Sequence, residues 1–145
     1  MGNRLSISLK RDEALRATRV TIGKLRLVYV LVADKPQRYR EGRSRIVYIG
    51  TTKKGVARVA QSAAARAEEI LSLHGVRAFE ARIVTCSPRQ NVATWRKLER
   101  ALLLGFRERF GQVPRCNSHG KKMRVTDEFG YFAKKRILSI IDELK

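Results

Sequence analysis

The chain is organised by a few blocks of apolar periodicity separated by polar stretches. Leu25-Arg26-Leu27-Val28-Tyr29-Val30-Leu31-Val32-Ala33 is rich in β-branched and aromatic residues and too short for a buried helix. It reads as a central strand covered on both faces. The polar stretch Asp34 to Ser44, with Pro36 and Gly42, predicts a loop, and Arg45-Ile46-Val47-Tyr48-Ile49-Gly50 a second strand. The pair forms a β-hairpin with a long basic tip. From Gly55 to about Leu73, Val56, Val59, Ala60, Ala63, Ala67, Ile70 and Leu71 recur at helical spacing, and Gly75 ends that helix. Val76 to Thr85 alternates and predicts a third strand. Val92 to Phe110 predicts a second helix, stopped by Gly111 and Pro114. Residues 111–127 read as loop, and Glu128 to Leu144 as a last helix capped by Asp127 or Thr126. The charged residues 8–20 are compatible with a short N-terminal helix.

The predicted order is strand, strand, helix, strand, helix, helix. It implies an α+β fold: one domain over 1–145, with a small three-stranded mixed sheet packed with helices. Its core falls at about 25–118, with 1–22 and 128–144 as extensions. No apolar run reaches the ~18 residues that a membrane span needs. The N-terminus carries no apolar leader segment, so a reducing, cytoplasmic setting is expected. Cys86 and Cys116 are too few for a disulfide framework. Cys116 and His119 have a metal-like spacing, but no fourth ligand lies near them for zinc.

Charge changes the picture most. Thirty-two Lys and Arg stand against 13 Asp and Glu, a net charge of +19 spread along the whole chain. A folded domain with that balance attracts polyanions, and nucleic acid held through its phosphates is the expected partner. The basic positions that stand out are Arg38, Arg40, Arg43 and Arg45 around Tyr39, then Lys53 and Lys54, and Lys121 and Lys122. Charge alone fits a nucleic-acid-binding or ribosomal protein equally well.

One acidic residue is out of place. On a helical wheel Val92, Trp95, Leu103, Phe106 and Phe110 fall within about 40° of Glu99. A carboxylate in an apolar stripe needs a cation or hydrogen bonds, supplied by a metal ion or by a buried arginine. The other polar candidates have ordinary explanations when taken singly. Arg58 lies across its helix from the apolar face and reads as solvated. Tyr29 and Tyr48 sit in strands, where tyrosines usually pack. Asn117 follows Pro114 in a loop, where turn chemistry is common.

Together, these residues resemble the GIY-YIG nuclease family. Leu27-Val28-Tyr29 and Tyr48-Ile49-Gly50 are similar to the two halves of its signature, the second letter for letter and the first without its glycine. Arg58 in Gly55-Val56-Ala57-Arg58, Glu99 in Trp95-Arg96-Lys97-Leu98-Glu99-Arg100, and Asn117 in Pro114-Arg115-Cys116-Asn117 follow in the family's order. Ser62 stands where some members carry a histidine. The resemblance implies hydrolysis of DNA phosphodiesters with one divalent ion, Mg²⁺ or Mn²⁺, held by Glu99. It also implies that Arg58 neutralises the phosphate, that Tyr29 or Tyr48 activates or positions water, and that Asn117 orients Glu99 or the phosphate. A restriction-type, phage or mobile-element nuclease is the expectation. The alternative is a non-catalytic nucleic-acid-binding module retaining the fold.

Overall fold

Seven consecutive residues, Leu27 to Ala33, are all buried, because both faces of this strand are covered. The computed structural model describes residues 2–19 and 23–145. Strand β1 spans Leu27–Tyr39 and β2 spans Gly42–Thr52; helix α1 is Val56–Leu71, strand β3 Phe79–Val84 and helix α2 Thr94–Phe110. A short helix α3, Glu128–Tyr131, and α4, Lys134–Leu144, complete the chain. The sheet order is β2-β1-β3. Val28, Val30 and Val32 point to a core shared with α2 and α4, built around Phe106, Leu102, Ile137 and Ile141. Leu27, Tyr29, Leu31 and Ala33 point the other way, onto Val59 and Ile70 of α1. The α+β class is therefore as expected, with α1 on one side of the sheet and α2 and α4 on the other. No helix among the described residues is long and apolar enough to cross a membrane.

The sheet is antiparallel throughout rather than mixed. Helix α1 runs back along the sheet after β2, so β3 starts at the same end as β2. The two strands share a direction, but β1 lies between them and pairs antiparallel with each.

The expected loop Asp34–Ser44 is mostly strand. Pairing resumes at Gln37↔Ser44, Arg38↔Arg43 and Tyr39↔Gly42, leaving only Arg40 and Glu41 at the tip. Tyr39 supplies the reason. It is buried, its ring lies 5.0 Å edge-on from Phe106 and 5.9 Å from Phe110, and its hydroxyl donates to Ile46 O at 2.7 Å. Pro36, which has no N–H, is accommodated where the register shifts between Val32 and Gln37.

The last helix is broken. Phe132 is extended (φ −127°, ψ 131°), which separates α3 from α4. Asp127 stands at the N-cap of α3 as expected but its side chain makes no cap bond: it pairs with Lys97 at 2.8 Å, and the Thr126 hydroxyl donates to Glu128 at 2.9 Å. At the N-terminus, residues 8–18 form no helix, and Val20 lies outside the described residues. Leu9 and Leu15 are exposed, so no packing offsets the cost of nucleating so short a helix.

Candidate active site

The tyrosines of the two signature strands meet on the α1 side of the sheet. Tyr29 pairs directly with Gly50, and Tyr48 lies diagonally, with ring centroids 5.8 Å apart. A β-bulge sets this up. Leu31 pairs with Tyr48 but Val32 with Ile46, so Val47 is an extra residue. Val47 and Tyr48 consequently both face α1, breaking the alternation between Ile46 and Ile49. Gly50 makes the close approach feasible. A Cβ there would lie 2.6 Å from Tyr48 Cε1 and 2.7 Å from Tyr29 Cζ and Oη.

Each hydroxyl has a partner on α1. Arg66 stacks over the Tyr48 ring at 3.7 Å and donates from Nη2 to Tyr48 Oη at 3.0 Å and from Nη1 to Cys116 O at 3.2 Å. Tyr29 Oη lies 2.6 Å from Ser62 Oγ. Burial pushes the Tyr48 hydroxyl up to about 12, with Tyr29 adding to the rise and Arg66 opposing it. Tyr48 thus stays a phenol at neutral pH.

Arg66 was not singled out by sequence. The expected arginine, Arg58, is exposed and contacts Gln61 Oε1 at 3.3 Å. Arg58, Ser62 and Arg66 follow one another at four-residue spacing, so they share a stripe of α1. Arg58 stands on that stripe two turns from Arg66, with its side chain exposed.

Asn117 is buried and committed to the backbone. Its Oδ1 accepts from Ile49 N at 3.0 Å and its Nδ2 donates to Ile49 O at 2.9 Å. Cys116 N donates to Val47 O at 2.9 Å. Residues 116–117 therefore satisfy the outer edge of β2 across the bulge. Asn117 orients the strand that carries Tyr48 and Gly50, not Glu99 or a phosphate.

Glu99 lies at the margin of the buried face of α2, not in its middle. Leu98, Ala101, Leu102, Gly105 and Phe106 make the centre, while Glu99 is half-buried. Burial raises its carboxyl above the usual range, with His119, Arg96 and Arg100 pulling the other way. Among the described residues it has no hydrogen bond and no ion pair. The expected alternative, a pairing with a buried arginine, describes a different residue. Glu128 is fully buried; it accepts from Arg100 Nε at 2.6 Å, Thr126 N at 2.7 Å and Thr126 Oγ1 at 2.9 Å. Burial alone would raise its carboxyl, but these donors hold it down at about 2. No signal in the sequence marks Glu128, because its burial depends on a helix distant in the chain.

The candidate DNA contacts do not gather in one patch. Arg38 and Arg43 face one another at the hairpin tip, where like charges directly opposite are unfavourable without a counter-ion. Arg40 is exposed beside them, and Arg45 Nε reaches Lys145 O at 3.4 Å. Lys53 and Lys54 are exposed beyond the opposite end of β2. Lys121 and Lys122 are exposed in the loop that Arg107 fastens through Gly120 O and Lys121 O. Cys86 and Cys116 are free thiols that pack into opposite cores, so neither a bridge nor a shared zinc joins them. The chain matches no protein-family model, no curated protein and no solved structure.

Proposed function

We propose that the protein is a divalent-metal-dependent DNA endonuclease of the GIY-YIG type. The observation that carries this is Glu99. Basic residues outnumber acidic ones 32 to 13, so cations are not scarce, yet this desolvated carboxylate makes no hydrogen bond and no ion pair among the described residues, with His119, Arg96 and Arg100 acting on it only from a distance. A lone carboxylate suits a hard ion such as Mg²⁺ or Mn²⁺ that keeps most of its waters. When bound, such an ion supplies Lewis-acid polarisation of a phosphate and neutralises developing charge.

The chain's own residues divide the remaining work. Arg58 is exposed on the α1 side of the sheet, across it from the α2 side that carries Glu99, so its fork of donors would meet a phosphate of the strand from that other side. Arg66 fixes the Tyr48 hydroxyl and Ser62 that of Tyr29, and Tyr48 keeps its proton at neutral pH. The tyrosines therefore act by holding water or a phosphate oxygen in place. Asn117 positions β2. The +19 charge supplies attraction for the duplex.

Glu99→Gln tests the reading. Nicking of supercoiled plasmid with Mg²⁺ or Mn²⁺ should fall by several orders of magnitude, because several kcal/mol of transition-state stabilisation go with the ion. DNA affinity should hold or rise, and melting should not drop, since an unpaired desolvated charge is removed. Wild-type nicking by a folded mutant would take Glu99 out of the site. A wild-type protein that binds DNA but never nicks it would favour the non-catalytic module.

A further inference from the structure

Beside the first turn of α2 an open cavity of about 530 Å³ lies between Arg26, the turn Pro88–Ala93 and Trp95. Its chemistry is of one kind. The Arg26 guanidinium lies 4.7 Å from the centre of the Trp95 ring, and that of Arg89 lies 5.1 Å from Tyr131. Among the described residues neither arginine has an acidic partner, so both cations are held on aromatic faces with their charge uncompensated. The turn between them is tight: Asn91 has φ 60° and Val92 N donates to Arg89 O at 3.2 Å. Gln90 and Asn91 are exposed at its tip and line the cavity, and no carboxylate does.

A flat aromatic, two unpaired guanidinium groups and two side-chain amides suit a ligand that is flat, anionic and edged with hydrogen-bonding groups. We propose that this cavity receives an unstacked nucleobase of a DNA strand. The base lies on Trp95, its edge meets Gln90 or Asn91, and its phosphates meet Arg26 and Arg89. Arg26 is exposed, so its guanidinium is able to leave the ring and follow the phosphate. Trp95 and Glu99 are four residues apart on α2, which puts them on one face a single turn from each other. The captured base therefore belongs next to the phosphate that Glu99 serves. That adjacency rests on the nuclease reading; the chemistry of the cavity does not.

Trp95 is the only tryptophan, so its emission reports on this cavity alone. The test compares a fluorescein-labelled thymidine decamer with an abasic decamer of equal charge, in EDTA, with binding followed by anisotropy. At saturation the thymidine strand should quench Trp95 and the abasic strand should leave it nearly unchanged. Trp95→Ala should weaken the thymidine strand by roughly 10- to 100-fold, as expected for loss of stacking, and the abasic strand by less than about threefold. The quenching comparison uses the wild-type protein and does not depend on how that variant folds. Equal quenching by both strands, or none by either, overturns the proposal. Plasmid nicking without base-dependent quenching removes the cavity's role alone. Quenching without nicking keeps the cavity and removes the nuclease reading.

Discussion

Gly50→Ala is the smallest change that reaches the centre of the candidate site. The glycine's backbone is not in the left-handed region, so any penalty comes from space alone. An added Cβ would meet Tyr48 Cε1 at 2.6 Å and Tyr29 Cζ and Oη at 2.7 Å, about 1 Å inside ordinary contact. Neither ring is free to retreat. Tyr48 lies beneath Arg66, and Tyr29 is tied to Ser62. Overpacking a site of this kind costs about 1–3 kcal/mol, and losing one of the tied hydrogen bonds adds about 1 kcal/mol. The sum, about 2–4 kcal/mol, corresponds to a fall in melting temperature of about 10 °C for a domain of this size. Gly130→Ala is the matched control, since a Cβ there meets nothing within 4 Å. Thermal melts of the two variants with wild type, followed by nicking per folded molecule, measure the effect. Nicking should fall with Gly50→Ala as the two hydroxyls are displaced. A Gly50→Ala melt within about 1 °C of the control would refute the argument that the tyrosines close over this glycine.

The two arginines of α1 should separate. Arg66→Ala removes a ring contact and two hydrogen bonds and should cost about 2–4 kcal/mol of stability in denaturant unfolding. Arg58→Ala, at an exposed side chain, should change stability by less than about 0.5 kcal/mol while lowering nicking. Glu128 should make stability depend on acid. Its carboxyl is held at about 2 in the fold against an ordinary 4.5, so its contribution is fully present above about pH 5 and is lost as pH falls towards 2. Glu128→Gln should remove that part of the pH dependence in melts between pH 2 and 6.

How far the sequence could be read depended on whether burial is local. Leu27 to Ala33 is apolar at every position, so its central place in the sheet was legible. The hairpin end was not. Gln37 and Tyr39 stand among arginines and look solvated, and only Phe106 and Phe110, from a later helix, turn Tyr39 into a core residue. Helical periodicity found α2 but put Glu99 too deep. The wheel weighs every apolar residue alike, whereas α4 draws Gly105, Ala101 and Leu102 to the centre of the contact. Gly105 shows this directly, with Ile137 Cγ2 at 2.9 Å from where its Cβ would be. The motif residues Tyr29, Tyr48 and Gly50 could be marked by spacing, but their contact depends on a bulge at Val47 that no periodicity reveals. Arg66 escaped notice because stacking and a hydroxyl partner leave no trace in charge or hydropathy.

The same physics accounts for the isolation of Glu99. Arg96, three residues before it, and its neighbour Arg100 are the nearest cations on α2, and both lower its carboxyl. Arg100 instead turns to Glu128 at 2.6 Å through Nε and to Arg124 O at 2.9 Å through Nη2. Glu128 is fully buried and would be costly without that cation, so Arg100 is more firmly held there than at a half-exposed site. Lys97, on the far side of α2 from Glu99, is bound to Asp127 at 2.8 Å. Arg107 is fastened to the backbone of the 120–121 segment. The segment running from Arg124 to Glu128 thus engages Arg100 and Lys97, and Arg96 makes no side-chain bond to Glu99 among the described residues. Glu99 is left partly desolvated and without an ion-pair partner, on the face that also carries Trp95. That is the arrangement the proposed metal site and nucleic-acid strand call for.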